Sequence, residues 1–344
     1  KASPRVMLKD QITKLSKMNL QMKSGVECEY FLISQDGSDI ADSRDIQSKP
    51  CYDQSALMRR YDLIKEICDS MIELGWKPYQ NDHEDANGQF EMNWDYDDCL
   101  VTADRHVFFK YMVKSLSEKH GLRATFMPKP FNNLTGNGCH AHISLWTDKT
   151  NKFLDNGDRL GLSKTAYNFL GGVIQLAQPL SAFFNPTVNS YRRINAPPTK
   201  SGASWSPSSI SYTGNNRTHM IRVPDPGRFE LRLMDGSSNP YLLQAGVMAA
   251  GLDGINNKTD PGEPLFCNMF ECNIFSIFVV NPVARFAIFC FKAKLFTLPL
   301  SFELRGLSTS FLQIFPQRAP FHLPIVLSPF RSLMSFSGSG SQSC

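Results

Sequence analysis

Residues 129–144 read Lys-Pro-Phe-Asn-Asn-Leu-Thr-Gly-Asn-Gly-Cys-His-Ala-His-Ile-Ser. Past the Gly-Asn-Gly turn, His140, His142 and Ser144 recur at every second position. A strand sends alternate side chains to one face, so two imidazoles and a hydroxyl are predicted to project together from a single β surface. Gly136 and Gly138 let the backbone turn sharply and let a ligand come close to it.

Carboxylates follow the same spacing. Residues 26–33, Val-Glu-Cys-Glu-Tyr-Phe-Leu-Ile, read as a buried strand with Glu27 and Glu29 on one side. A Glu-x-Glu pair is ordinarily a solvated strand edge. The apolar flanks predict instead two adjacent anions on a largely buried sheet, for which a divalent cation is an economical counter-ion. In residues 82–91, Glu84 ends one strand, Asn87-Gly88 supplies a turn and Glu91 lies in the next strand. In residues 228–232, Arg-Phe-Glu-Leu-Arg, the period of two puts Glu230 between two arginines on one face. Taken alone, that strand reads more readily as a salt-bridge ladder than as a metal site.

The 129–144 segment has the form of an ATP-region signature, and with these glutamates the sequence resembles glutamine synthetase, the ATP-dependent glutamate–ammonia ligase. The resemblance is nearest the prokaryote-type branch, including its type III forms, through residues 201–205 and 214–220. It implies two metal sites, Glu29, Glu84 and Glu91 on the first ion and Glu27, His140 and Glu230 on the second. Oxygen ligands with one imidazole suit Mg²⁺ or Mn²⁺ better than zinc. The family pattern further places Gly136, Arg193, Arg217 and Arg232 on the substrate. It places His142, Ser144, Arg222 and Arg228 on the nucleotide, and makes Arg217, Arg232 and Glu84 the catalytic residues. Arginine suits these positions because its planar fork clamps carboxylate and phosphate. The implied reaction phosphorylates the γ-carboxylate of L-glutamate with ATP, and ammonia then displaces phosphate. The implied partners are L-glutamate, ammonium and ATP, with an assembly into a homo-oligomeric ring.

Three departures from the family pattern bear on these expectations. The small N-terminal β-grasp domain is not found before Lys1, so the N-terminus reads as incomplete. The flap glutamate has no match in residues 196–201, which keeps a ligase for methylamine or another small amine as an alternative. After residue 270 a Phe-, Ser- and Pro-rich segment stands where helices are expected. A non-catalytic homologue or inactive fragment is the reading from another class.

The expected domains are thus 1–270, a catalytic domain, and 271–344, an atypical tail that is non-native or disordered. The tail's composition suggests a retained intron or a frameshift, since Glu303 is the sole acid in residues 272–344. The apolar run at 273–302 is interrupted by Pro282, Arg285, Lys292 and Lys294, so no membrane span is expected. A net charge of +4 over 344 residues is too mild for a nucleic-acid surface. Nine cysteines without a CxxC pair read as reduced thiols in the cytoplasm.

Helices are predicted over 5–20, 54–74, 98–120, 163–177 and 239–254. Strands are predicted over 25–34, 77–82, 88–94, 122–127, 138–146, 208–214, 219–223 and 228–233. Gly75 and Gly121 fall where helix stops belong. The pattern implies an α+β fold with a mainly antiparallel sheet, and the resemblance implies a funnel-shaped active site flanked by helices.

Overall fold

The computed structural model describes residues 3–272 except Asn195 and Ala203; the expectations for the Phe-rich tail and its apolar run lie outside the described residues. The first third of the chain runs α1 (Pro4–Ser16), β1 (Gln21–Cys28), β2 (Tyr30–Ile33), α2 (Gln54–Met58), α3 (Tyr61–Glu73), β3 (Pro78–His83) and β4 (Gln89–Trp94). Next come β5 (Asp97–Asp98), α4 (Cys99–Lys119), β6 (Arg123–Thr125), β7 (Cys139–Thr147) and β8 (Thr150–Asn151). Then follow α5 (Lys164–Gln175), α6 (Ala177–Phe184), α7 (Val188–Ile194), β9 (Tyr212–Thr213), β10 (Ile221–Arg222), β11 (Phe229–Leu231) and α8 (Pro240–Asn257).

The strands form two sheets. One runs β5-β1-β7-β11-β10-β9 with β8 paired to β7; the other runs β3-β4-β2-β6. Among the described residues only β9 and β10 pair in parallel, so the expected antiparallel α+β character holds. The single strand expected over 25–34 is in fact two. β1 belongs to the first sheet and β2 to the second, and Glu29 is the one residue between them. The chain therefore changes sheets at a carboxylate.

Gly75 and Gly121 follow α3 and α4 at φ +74 and +71, the left-handed conformation that ends a helix without steric cost from a Cβ. The helix expected over 54–74 breaks at Arg59–Arg60 into α2 and α3. There Arg59 pairs with Asp42, and Arg60 Nη2 donates to the Ala41 carbonyl at 2.6 Å. Under the second sheet an aromatic cluster fills the core, with Trp94 5.0 Å from Phe109 and Tyr30 5.7 Å from Phe126 between ring centroids.

On the other side α5 lies directly on α8. A Cβ at Gly172 would meet the Ala250 carbonyl at 2.1 Å, and one at Gly254 would meet the Asn168 carbonyl at 2.1 Å. Replacing Gly172 by alanine gains about 1 kcal/mol of helix propensity. The clash is with backbone, so no side-chain rotation relieves it, and overpacking of this kind costs about 1–3 kcal/mol or more. Gly172→Ala is therefore expected to lower the thermal midpoint; an unchanged midpoint would show that the two helices part freely.

Candidate active site

The two sheets meet at β1, β7 and β4, and a cavity of about 810 Å³ opens along that seam. Register sets the ligands. Glu27 lies opposite His140 on β1 and β7, and Glu230 lies opposite His142 on β11 and β7. The Glu27 carboxylate accepts from His142 Nε2 at 2.7 Å and lies 3.2 Å from His140 Nδ1. Arg228 Nη1 lies against the other ring nitrogen of His142, Nδ1. Ser144 lies farther along the same face and accepts from Trp146 Nε1 at 2.8 Å.

Glu27, His140 and Glu230 each bring a ligand atom within 4.8 Å of the other two. The set expected for the first ion is arranged differently. Glu91 is the shared member of two such groups, Glu29–Glu91–His140 and Asp82–Glu84–Glu91. Asp82 is thus an additional oxygen donor that the sequence reading did not single out. These donors, carboxylates with one imidazole, fit hard divalent cations.

The site's electrostatics divide the carboxylates into two classes. Burial acts upward on Glu27, but His142 and His140 hold it well below the ordinary range. Burial likewise acts upward on Glu230, and Arg232 and His140 hold it at about 2. Glu84 and Glu91 have no such cation. Burial, then the carboxylates around them, with Glu29 foremost on Glu84 and Glu27 on Glu91, push both well above the ordinary value of 4.5.

The arginines ring the same cavity. Arg193, Arg217, Arg222, Arg228 and Arg232 all line it, together with Gly136. Glu230 does not sit between Arg228 and Arg232 as the spacing suggested. It pairs with Arg232 at 2.5 Å and with Arg222, on the neighbouring strand, at 2.8 Å; Arg228 turns to Asp225 and His142. The twist between neighbouring strands decides which guanidinium reaches a carboxylate. Arg193 rides on α7, an element absent from the sequence reading, and its guanidinium donates to the Leu233 and Arg232 carbonyls at 3.3 and 3.4 Å. Arg217 is exposed on a loop that residues 267–269 brace. Asn216 Nδ2 and His219 Nε2 donate to the Cys267 carbonyl at 3.1 and 2.9 Å, and Met269 N donates to Thr218 Oγ1 at 3.0 Å.

Several positioning residues escaped the sequence. Buried Gln89 donates through Nε2 to Glu29 Oε2 at 2.7 Å and to the Gly136 carbonyl at 3.2 Å. Gly138 N donates to the same Glu29 oxygen at 2.8 Å. Gly136 and Gly138 are needed for room. A Cβ would strike the Pro128 carbonyl at 2.2 Å in the first and His140 Nε2 at 2.7 Å in the second. Asp45, buried, accepts from His83 Nε2 at 2.6 Å, Asn87 Nδ2 at 2.8 Å and Gly88 N at 2.7 Å, fixing the turn between Glu84 and Glu91. In the 196–201 segment, where no glutamate stands, Ser201 donates to Asp85, which also accepts from Thr135 at 2.7 Å.

A pH dependence follows with a definite sign. Glu84 and Glu91 hold protons in the metal-free fold that the unfolded chain releases above about pH 4.3. The stability they confer is present below that value and is lost as pH rises through their raised folded values. In chelator, the thermal midpoint is expected to fall as pH rises from about 5 toward 8, and Mn²⁺ is expected to flatten that slope. An identical slope with and without Mn²⁺ would remove the cation from these two carboxylates.

Comparison with known proteins gives consistent matches. The family model described as glutamine synthetase, catalytic domain, matches residues 1–277. Glutamine synthetase of Rhizobium meliloti (strain 1021) is 64% identical over 271 residues, 78% of this chain and 62% of that protein. Glutamate–methylamine ligase of Methyloversatilis universalis is 43% identical over 271 residues, 78% of this chain and 61% of that protein. A solved structure titled as a GmaS/ADP complex superposes with a TM-score of 0.80 at 59% identity, covering 84% of this chain and 68% of that one. The chain spans about three-fifths of the length of the curated relatives it matches. No helix among the described residues is long and apolar enough to cross a membrane. With its catalytic-domain match over residues 1–277 and relatives at this level of identity, the chain belongs to the glutamine synthetase family.

Proposed function

We propose that this chain carries the catalytic domain, residues 1–270, of a cytoplasmic, ATP-dependent γ-glutamyl ligase that joins ammonia to L-glutamate through a γ-glutamyl phosphate. The observation that carries the reading is one cavity where Glu27, Glu29, Glu84, Glu91 and His140 face Arg193, Arg217, Arg222, Arg228 and Arg232. Such a site suits a reaction in which one anion attacks another, because charge neutralisation is what that step lacks.

In this reading Glu29, Glu84 and Glu91 hold one Mg²⁺ or Mn²⁺, and Glu27, His140 and Glu230 a second. Cations held by these residues would supply neutralisation of phosphate charge. Arg193 takes the substrate α-carboxylate, and the Gly136 backbone lies against the amino-acid portion. Arg222 and Arg228 meet the nucleotide phosphates, with His142 and Ser144 along the nucleotide. Arg217 and Arg232 stabilise the charge that develops at the γ-carboxyl and the phosphoryl. A homo-oligomeric ring is the expected assembly.

Methylamine is a second acceptor to weigh, because a relative named glutamate–methylamine ligase shares 43% identity. The cavity is also lined by Tyr52 and Trp205, whose rings are surfaces suited to an alkylammonium ion. Glutamate-dependent ADP release measured with ammonium and with methylamine decides between them. Faster turnover with ammonium is expected, and equal rates or a methylamine preference would reassign the acceptor. No ADP release with either amine would overturn catalysis by this chain and leave the non-catalytic reading.

A further inference from the structure

Behind the strands that present the carboxylates lies a second cluster that the reaction does not use. Cys28 alternates with Glu27 and Glu29, and Cys139 alternates with Gly138 and His140, so both thiols point away from the cavity. The two cysteines are direct cross-strand partners. Glu29 N donates to the Gly138 carbonyl at 3.3 Å, while Cys139 N donates to the Met234 carbonyl at 3.1 Å. Cys28 and Cys139 therefore form a pair without mutual backbone hydrogen bonds, the type in which Cα atoms approach to about 4.5 Å and side chains lie closest. His106 of α4 completes the group, with Nε2 at 3.8 Å from Cys139 Sγ. All three residues are buried, and their ligand atoms lie within 4.8 Å of one another.

We propose that Cys28, His106 and Cys139 form a three-coordinate site for a soft monovalent ion, Cu⁺, on the back of the catalytic strands. The dimensions fit. Three donors spaced 3.8 Å apart, the separation seen for His106 and Cys139, would each lie about 2.2 Å from their centre, close to the roughly 2.0–2.3 Å of metal–nitrogen and metal–sulfur bonds. The donor types select the ion, since thiolates favour Cu⁺ and zinc while hard cations take oxygen. The donor count decides between those two. Structural zinc takes four ligands, and among the described residues no fourth His, Cys, Asp or Glu joins this group. Cu⁺, with its filled d shell, is content with three.

Binding is an exchange without electron transfer: Cu⁺ displaces the protons of the Cys28 and Cys139 thiols, two Cu–S bonds replace two S–H bonds, and both protons leave to solvent. Redox or nucleophilic chemistry fits less well, because full burial keeps oxidants and electrophiles from both sulfurs.

The test uses the full chain produced in copper-supplemented cells, purified anaerobically and dialysed against a Cu⁺ chelator. One retained copper per chain is expected, and X-ray absorption should show two sulfurs and one nitrogen at about 2.0–2.3 Å. Cys139→Ser should lose that copper. Copper stripped by the chelator, a sulfur-only shell, or copper unchanged in Cys139→Ser would overturn the site, the last two pointing to the more accessible thiols of Cys51, Cys267 or Cys272. If the variant does not fold, the nitrogen shell of the wild-type chain decides, since surface cysteines alone do not supply it.

Discussion

Exchange of Glu84 for alanine is expected to lower glutamate-dependent ADP release about a thousandfold while raising the melting temperature of the metal-free chain. The first effect follows from the proposed cation. A metal ion stabilises phosphoryl-transfer charge by several kcal/mol, and each 1.36 kcal/mol is about tenfold in rate. The second follows from the company Glu84 keeps. Burial, Glu29, Asp82, Glu27 and Asp85 all raise its pKa, so its charged form is repelled in the empty fold. Removing it relieves that repulsion at neutral pH. Melting curves in chelator and in Mn²⁺ read both halves, with the variant gaining less from Mn²⁺ than the wild type. Retained turnover, or a lower melting temperature in chelator, would sink the assignment.

Glu230→Ala should act with the opposite sign on stability. Glu230 is fully buried and its carboxylate accepts from Arg222 Nη1 at 2.8 Å and Arg232 Nη1 at 2.5 Å. Arg232 is itself buried, and its Nε already has no partner among the described residues. Deleting one partner of a buried ion pair strands the other and typically costs about 3–5 kcal/mol. Urea unfolding in chelator is expected to show a loss of that order. Glu230→Gln keeps an acceptor for the arginines without the charge, so it should recover part of the stability but not the Mn²⁺ response. A loss under about 1 kcal/mol for Glu230→Ala would mean the arginines find water or each other's carbonyls instead.

Glu84 and Glu230 look alike in the sequence, each an acid in a strand-like stretch. What separates them is which sheet neighbour lies across from them, and that is set by strand pairing at long range. The period-two motifs were legible because spacing alone decides that His140, His142 and Ser144 share a face of β7; that Glu27 joins them is set by register. The glycine stops after α3 and α4 were legible for a similar reason, as a positive φ favours glycine locally. Three features were not legible. α7 is seven residues long, too short for a periodic pattern to stand out. Gln89 and Asp45 act on residues 60 and 38 positions away, across contacts that no local pattern encodes. The split of 25–34 into β1 and β2 is hidden because both halves are apolar and extended. Only their partners, β7 for one and β4 for the other, reveal the change of sheet.

That change of sheet would make the proposed cation site a fastener between the two sheets. Glu27, His140 and Glu230 belong to the larger sheet, Glu91 to the smaller, with Glu84 just beyond the end of β3, and Glu29 is the joint between them. A cation held by Glu29 and Glu91 would rivet two halves that otherwise meet along a line of like charges. That ion would then be a structural member under load, and the spacing that phosphoryl transfer requires would be gauged by the same bonds that keep the sheets closed.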